Sequence, residues 1–177
     1  MRTTERLLLR PYREEDRPAF AAINADPEVM KYLGGVPLTR EQSDEITVGV
    51  NERYVAEGIG FLAIERRSDG ALLGACGLMR HTTWYPDDLE IGWRLGREYW
   101  GHGYATEAAA SWLAHAFEDR AESRVISITD TPNLNSIAVM KRLGMTLDHQ
   151  TVLVDEGTPF DATIYSITAA AWSARRT

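Results

Sequence analysis

The stretch Tyr99-Trp100-Gly101-His102-Gly103-Tyr104-Ala105-Thr106-Glu107-Ala108 sets a pair of glycines between a predicted strand and the first turn of a predicted helix. The strand, 89–95, alternates apolar and polar residues, and the helix that begins near Ala105 carries apolar residues at helical spacing. The first N–H groups of a helix lack partners inside it, and glycines let a ligand approach the positive end of its dipole. The stretch therefore predicts a turn that holds a pyrophosphate.

Two other phosphate-binding loops fit this stretch poorly. Gly96 and Gly101 have the four-residue gap of a P-loop, but His102 and Gly103 stand where Lys and Ser or Thr would be needed. A dinucleotide-binding turn would have its third small residue at Thr106, and the preceding elements are not the start of a βαβ unit. A plain chain turn remains the alternative for an isolated glycine pair, and the flanking strand and helix weigh against it.

Length and composition set the broad class. The chain has 177 residues, of which 44% are hydrophobic, and a net charge of −7. These values favour one domain, residues 1–177, and argue against a nucleic-acid partner, which needs clustered Lys and Arg. The N-terminus lacks the apolar run of a secretory signal, and no stretch reaches the ~18 apolar residues of a membrane span. We therefore expect a cytoplasmic protein with no membrane contact, and Cys76, in an apolar run, as a core thiol.

Hydrophobic periodicity and turn residues predict a mixed α/β (α+β) chain. Asp69-Gly70 predicts a tight hairpin with positive φ angles, and Gly92 inside a strand suggests a bulge. The predicted strands are 6–10, 60–65, 72–79, 89–95, 125–129, 151–154 and 163–167. The predicted helices begin near Arg13 with Phe20, Ala22 and Ile23 on the apolar side, cover 40–57 with Gly58 as cap, begin near Ala105, and follow a cap at Asn133 or Asn135.

Three segments together resemble the GCN5-related N-acetyltransferase (GNAT) superfamily, and within it the branch of ribosomal-protein N-terminal acetyltransferases (RimJ/RimL-like). Residues 4–11 are similar to the opening strand of that branch, 99–108 to its cofactor turn, and 133–145 to its second cofactor motif. Trp100 stands where the superfamily usually has Gln or Arg. The resemblance implies a mixed, mostly antiparallel central sheet flanked by helices, with a V-shaped split between the two central strands.

The same resemblance implies acetyl-CoA as the co-substrate, lying between strands 89–95 and 125–129. Its pantetheine arm would bond backbone groups of the first strand, its pyrophosphate would meet the glycine turn, and Asn133 would serve both as helix cap and as cofactor contact. The implied cofactor-binding residues are Trp93, Arg94, Leu95, Gly101, His102, Gly103, Tyr104, Ala105, Thr106, Asn133 and Ser136.

For the chemistry, the resemblance implies direct attack of an amine on the thioester. A free amine is mostly protonated at pH 7, so a base is needed, and Glu90 on the polar face of strand 89–95 is the candidate. The alternative is that Glu90 is an exposed carboxylate or the partner of Arg94. Many superfamily members use a Tyr to protonate the thiolate, but Met140 stands at that position. Ser136 is then either its substitute or a simple helix cap.

The acceptor is expected to enter past aromatic and acidic residues, chiefly Tyr32, Trp84 and Tyr85, with Leu33, Asp87, Asp88, Asp155, Glu156 and Asp161. Such a mouth suits a cationic amine or the N-terminus of a basic peptide. A small amine, amino acid or antibiotic is the alternative acceptor, and a non-catalytic acyl-CoA sensor is the alternative function. A homodimer is possible for this fold. His81, His115 and His149 share no ligand spacing, so no metal site is predicted.

Overall fold

The computed structural model describes residues 1–80, 83–155 and 157–175, which build an eight-stranded sheet in the order β1-β2-β3-β4-β5-β6-β8-β7. The strands are β1 (Arg2–Thr3), β2 (Leu7–Arg10), β3 (Phe61–Arg66), β4 (Leu72–Arg80), β5 (Leu89–Leu95), β6 (Arg124–Asp130), β7 (Thr146–Asp155) and β8 (Thr158–Thr168). The helices are α1 (Arg17–Asn24), α2 (Pro27–Met30), α3 (Arg40–Glu57), α4 (Tyr104–Ala114), α5 (Leu134–Arg142) and α6 (Ala169–Ala174).

Among the strand pairs that the described residues form, only that of β5 with β6 is parallel, so the sheet is mixed and mostly antiparallel, as predicted. These two strands pair at Leu89 with Val125 and at Glu90 with Ile126, and then separate. Both strands have seven residues, so most of their length lies beyond the last pair. The V-shaped split predicted between the central strands is therefore confirmed.

Helices cover both faces of the sheet. On the face that we call the α4 face, Trp112 of α4 is buried among Leu89 and Ile91 of β5, and its indole donates to the carbonyl oxygen of Cys76 at 3.0 Å. Cys76 has no exposed surface, and this burial raises the pKa of its thiol, which confirms a core thiol. On the opposite face, which we call the α1 face, α1 and α3 pack against β3 and β4.

The hairpin between β3 and β4 differs from the prediction in its backbone. Gly70 has a φ of +75°, but Asp69 does not share the left-handed conformation. Instead, the carboxylate of Asp69 accepts hydrogen bonds from Arg66 at 2.6 and 2.9 Å and from the N–H of Ala71 at 3.2 Å. The aspartate thus closes the turn through its side chain, and glycine alone supplies the positive φ.

Two local predictions are wrong. Gly92 lies opposite Gly77 in an uninterrupted β4–β5 register, so it makes no bulge. A Cβ at Gly92 would lie 2.7 Å from Cζ of Phe61, so glycine allows this ring to approach the backbone of β5 closely. In α1, Ala22 is exposed, whereas Phe20, Ile23 and Asn24 are buried. The buried stripe follows the three- and four-residue spacing, which leaves Ala22 outside it.

The predicted caps of α3 and α5 are observed. Gly58 ends α3 with a φ of +73°, and Asn133, rather than Asn135, caps α5. Within the described part of the chain, no helix combines the length and apolar character needed to cross a bilayer.

Candidate active site

The site begins at the open edge of β5. The N–H of Gly96 donates to the carbonyl oxygen of Leu73 at 3.0 Å, and a Cβ on Gly74 would collide with the carbonyl oxygen of Arg94. Arg94 and Gly96 therefore direct their backbone groups toward β4. Because these directions alternate along a strand, Trp93 and Leu95 direct theirs to the other edge, where β6 has already diverged. This edge can hold an extended, amide-bearing ligand in the split.

Trp100 ties the connection after β5 back to that edge. Its indole Nε1 donates to the carbonyl oxygen of Leu95 at 2.8 Å, although 41% of the residue is exposed. The carbonyl of Leu95 is thus occupied from within the chain. The sequence marks Trp100 as a departure from the superfamily pattern but gives no sign of this bond.

The glycine turn is built as predicted. Gly101 and Gly103 have φ values of +77° and +80°, and Gly103 is the N-cap of α4. The first helical bond runs from the N–H of Glu107 to the carbonyl oxygen of Gly103 at 3.0 Å, so the N–H groups before it are not used in the helix. A Cβ on Gly101 would meet nothing within 4 Å, so open space lies over the turn.

A buried polar atom lies unused in the same turn. The hydroxyl oxygen of Thr106 is buried, and no hydrogen-bond partner for it lies among the described residues. Free backbone donors, positive-φ glycines and an orphaned hydroxyl are the groups that a phosphate can use. The turn therefore fits the pyrophosphate of a coenzyme.

Glu90 lies on the α1 face and spans the split. Its neighbours in sequence, Leu89 and Ile91, belong to the core on the α4 face, so Glu90 faces the opposite way. Oε1 of Glu90 accepts from the N–H of Ile128 on β6 at 3.4 Å. The side chain is partly buried. One half of the split is therefore linked to the other through a carboxylate.

The alternative pairing of Glu90 with Arg94 does not occur. Residues four apart along a strand are separated by about 13 Å, and Arg94 donates to Oδ1 of Asn24 at 2.6 Å. Burial lowers the pKa of Arg94. Asn24 is itself held by α3, since its amide donates to the hydroxyl of Ser43 at 2.9 Å. Arg94 therefore connects β5 to the helices of the α1 face.

The start of α5 closes the other side of the split. Oδ1 of Asn133 accepts from the N–H of Ser136 at 3.2 Å, and its amide donates to the hydroxyl of Thr129 on β6 at 3.0 Å. Ser136 is partly buried in the first turn. Met140 has no exposed surface and belongs to the core. The position where the superfamily usually has Tyr is thus a packing position here.

Comparison with known proteins identifies the family of the chain. Residues 6–146 match the model of the acetyltransferase (GNAT) domain family, which is most of the chain. The chain belongs to the GNAT family. It is therefore an acetyl-CoA-dependent N-acetyltransferase, and the split with its glycine turn is the part of this GNAT fold that fits the acetyl donor.

Similar proteins match most of this chain. An uncharacterized N-acetyltransferase of Bacillus subtilis, YnaD, is 32% identical over 147 residues, which are 81% of each chain. The FsC-acetyl coenzyme A-N(2)-transacetylase of Aspergillus fumigatus is 32% identical over 149 residues, 81% of this chain and 63% of its own. The structure of RimL, a ribosomal L7/L12 alpha-N-protein acetyltransferase in complex with coenzyme A, shares the fold with a TM-score of 0.78 at 16% identity and covers 95% of this chain and 97% of that one.

The predicted acceptor residues of this GNAT protein fall in two places. Trp84 makes an edge contact with Phe160 of β8, with ring centroids 5.8 Å apart. Tyr85 packs near Ile126, the register partner of Glu90, in a cluster on the α1 face. Tyr32 lies in the turn after α2, where the ammonium of Lys31 is 5.4 Å from its ring centroid. The structure therefore places Trp84 and Tyr85, but not Tyr32, against the C-terminal strands.

Tyr85 also has partners that the sequence does not reveal. Its hydroxyl lies 2.7 Å from Nε2 of His149, and Nδ1 of that ring lies 2.8 Å from Asp148. Burial, with the nearby charge of Asp148, raises the pKa of Tyr85. From the sequence, His149 is expected to have no role in the site, because it is 64 residues from Tyr85 and no local pattern joins the two.

The other predicted mouth residues are mostly at the surface. Asp87, Asp155 and Asp161 are exposed, and Asp88 lies 3.9 Å from Arg124. Two histidines outside the predicted mouth have local partners. His115 pairs with Asp119 at 2.7 Å, and His102 stacks on Tyr104 with centroids 5.7 Å apart. Glu156 and His81 lie outside the described residues.

Proposed function

We propose that this GNAT enzyme acetylates a primary amine by direct attack, and that its acceptor is the N-terminal amine of a protein. The observation that carries the proposal is the carboxylate of Glu90, which crosses the split beside an open strand edge that leads to the glycine turn. Acetyl-CoA supplies the activated thioester. The residues of the chain bind it, orient it and move the proton.

Binding uses three segments. The backbone groups of Trp93 and the N–H of Leu95 at the open edge are the partners for the amides of the pantetheine arm, whereas Arg94 turns its backbone toward β4 and the carbonyl of Leu95 is held by Trp100. The N–H groups of 101–106, together with the hydroxyl of Thr106, are the partners for the pyrophosphate. Asn133 holds the start of α5 against β6 and so sets the other wall of the split.

The chemistry requires a neutral amine and a stabilised leaving group. Glu90 takes the amine proton, directly or through water, since amines with pKa values of about 8 to 10 are mostly charged at pH 7. A backbone N–H of β5 stabilises the oxyanion that forms at the carbonyl carbon. Ser136 donates a hydrogen bond to the departing thiolate, and full protonation is not needed because a thiol of pKa about 8.5 leaves readily.

Different observations support three candidate functions. The resemblance to the ribosomal-protein branch and the acidic, aromatic mouth favour a protein N-terminus carried by a basic segment. The identity to a relative named as an N(2)-transacetylase favours a small-molecule amine as the second candidate. Met140 in place of a tyrosine is the observation behind the third, an acyl-CoA sensor without turnover.

Thiol release from acetyl-CoA tests the proposal. The purified protein is assayed with peptides that have free N-termini, with polyamines and with amine antibiotics, beside Glu90→Gln and the control Glu98→Gln, an exposed carboxylate in the turn after β5. We expect release that depends on a peptide N-terminus and falls about 10²-fold in Glu90→Gln only. Release with small amines alone would move the acceptor to that class. Coenzyme binding without release on any acceptor would favour the sensor.

A further inference from the structure

Arg6 lies beside the glycine turn and belongs to the connection between β1 and β2. Its Nη1 donates to the carbonyl oxygen of His102 at 3.0 Å, and its Nε donates to Oε2 of Glu107 at 2.6 Å. The guanidinium also lies 4.6 Å from the ring centroid of Tyr104. One side chain from the N-terminus therefore contacts three residues of the turn and of the first turn of α4.

Glu107 anchors this arginine. Its Oε1 accepts from the hydroxyl of Thr4 at 2.6 Å and from the N–H of Arg6 at 2.8 Å. Burial opposes the charged form, but these bonds and the guanidinium hold the pKa of Glu107 below its ordinary value. The carboxylate would repel a phosphate at the start of α4, and the guanidinium compensates its charge.

The bond to His102 fixes one peptide plane. In a trans peptide the C=O of one residue and the N–H of the next point in opposite directions. Because Arg6 holds the carbonyl of His102 on its own side, the N–H of Gly103 points to the other side of the turn. Of the two residues that flank this peptide, Gly103 has no side chain to restrict its rotation. A cation on the carbonyl also polarises the amide, which makes its N–H a stronger donor.

We propose that Arg6 is a positioning residue of the pyrophosphate cradle: it holds the 102–103 peptide so that the N–H of Gly103 faces the pyrophosphate of acetyl-CoA. The inference rests on the proposed coenzyme site. It assigns to a residue far from the turn in sequence, 96 residues before His102, a part in selecting the phosphate-bearing portion of the donor.

Arg67 provides a matched control. Its Nη1 donates to the carbonyl oxygens of Thr4 and Glu5 at 2.9 and 2.8 Å. It therefore braces the same connection through the same kind of group, and both of these bonds go to that connection rather than to the glycine turn. Loss of Arg67 reports what loosening the connection does by itself.

The test is a titration of each protein with coenzyme A and with pantetheine, which lacks the pyrophosphate, followed by amide NMR, which reaches millimolar affinities. For Arg6→Gln we expect the Kd for coenzyme A to rise about tenfold, because the N–H of Gly103 is no longer held toward the pyrophosphate and its charge-assisted hydrogen bond is lost. The Kd for pantetheine should stay within about twofold. Arg67→Gln should leave both within about twofold. The shift of the Gly103 amide on adding coenzyme A should be large in the wild type and small in Arg6→Gln.

Each outcome decides one question. If the wild type does not bind coenzyme A, the proposed function fails and not only the inference. If the wild type binds and Arg6→Gln binds as tightly, or weakens no more than Arg67→Gln, the positioning role is wrong. An equal loss for coenzyme A and pantetheine would assign Arg6 to general support of the fold. If Arg6→Gln does not fold, Arg6→Lys replaces it, and a loss of at least about threefold for coenzyme A alone is required.

Discussion

The indole nitrogen of Trp100 lies 2.8 Å from the carbonyl oxygen of Leu95, so the glycine turn is fastened to the strand that leads into it. Gln or Arg, which the superfamily usually has here, also carries side-chain donors. Trp100 supplies one donor from its indole ring. We infer that its bond to Leu95 fixes the distance between the open edge of β5 and the turn.

Replacing Trp100 by Phe tests this bond. Trp100→Phe keeps an aromatic ring and removes the donor, so we expect the Kd for coenzyme A to rise about twofold to tenfold, the range of one neutral hydrogen bond. Calorimetric titration measures it. An unchanged Kd would mean that the bond does not hold the turn in a binding conformation.

The positive φ of Gly101 can be tested apart from the general cost of that conformation. Gly101→Ala and Gly70→Ala both place alanine at positive φ, +77° and +75°, where neither Cβ would meet an atom within 4 Å. We expect each to lower the free energy of unfolding by about 1 to 2 kcal/mol. Only Gly101→Ala should raise the Kd for coenzyme A, by about tenfold, because its Cβ enters the space over the turn. Denaturant unfolding and titration measure the two effects, and equal affinities would remove Gly101 from the site.

Asn133 and Ser136 are expected to separate stability from turnover. Asn133→Ala loses the helix cap and the bond to Thr129, so the free energy of unfolding should fall by about 1 kcal/mol or somewhat more. Ser136→Ala keeps the backbone bond to Asn133, so stability should change by less than about 0.5 kcal/mol while kcat falls about tenfold. If Ser136→Ala retains full kcat, the serine is a helix residue without a part in thiolate departure.

The buried pair of Arg10 and Asp16 gives a pH prediction. Nη1 and Nη2 of Arg10 donate to the two carboxylate oxygens of Asp16 at 2.6 and 2.9 Å. Burial opposes the charge, but the bonds from Arg10 and from the N–H of Arg13 lower the pKa of Asp16. A lowered pKa means that the carboxylate stabilises the folded state above its unfolded value near 3.9, and that this stabilisation is lost as the pH falls through the folded value.

Asp16→Asn should therefore be less stable than the wild type by about 1 to 3 kcal/mol at pH 7, because the buried guanidinium of Arg10 loses one of its two anions and keeps Glu65, which accepts from Nε at 2.6 Å. The difference should shrink below about pH 4. Urea unfolding between pH 7 and pH 2 measures it. Asp69→Asn, which removes an exposed pair with Arg66, is the control and should change stability far less. A difference that stays constant down to pH 2 would contradict the assignment.

The sequence predicts most accurately the elements that bury one face and the turns that need special backbone angles. Strand 89–95 and the glycine turn are recognisable because burial of one face and special backbone angles both leave marks in consecutive residues. β7 begins at Thr146, five residues before the predicted 151, because an edge strand with mostly exposed side chains shows no alternation around Asp148 and Gln150.

Contacts between distant segments explain what the sequence misses. The pairs Arg6–His102 and Tyr85–His149 join residues 96 and 64 positions apart. Neither pair follows a spacing rule, since each depends on how the folded chain brings two distant segments together. The glycine at 92 is misread for the same reason: the ring of Phe61, two strands away on β3, lies over the position that a side chain would take.

The two residue pairs that join β5 to β6 have a mechanical consequence. Backbone pairing joins the N-terminal five strands to the C-terminal three only along this short line, and beyond it the two groups of strands are held together by the side chains of the shared core. A molecule bonded along the open edge of β5 and against α5 would connect the two groups of strands and restrict their movement relative to each other. We expect amide exchange near Ile128 to slow when coenzyme A is added and to recover when it leaves.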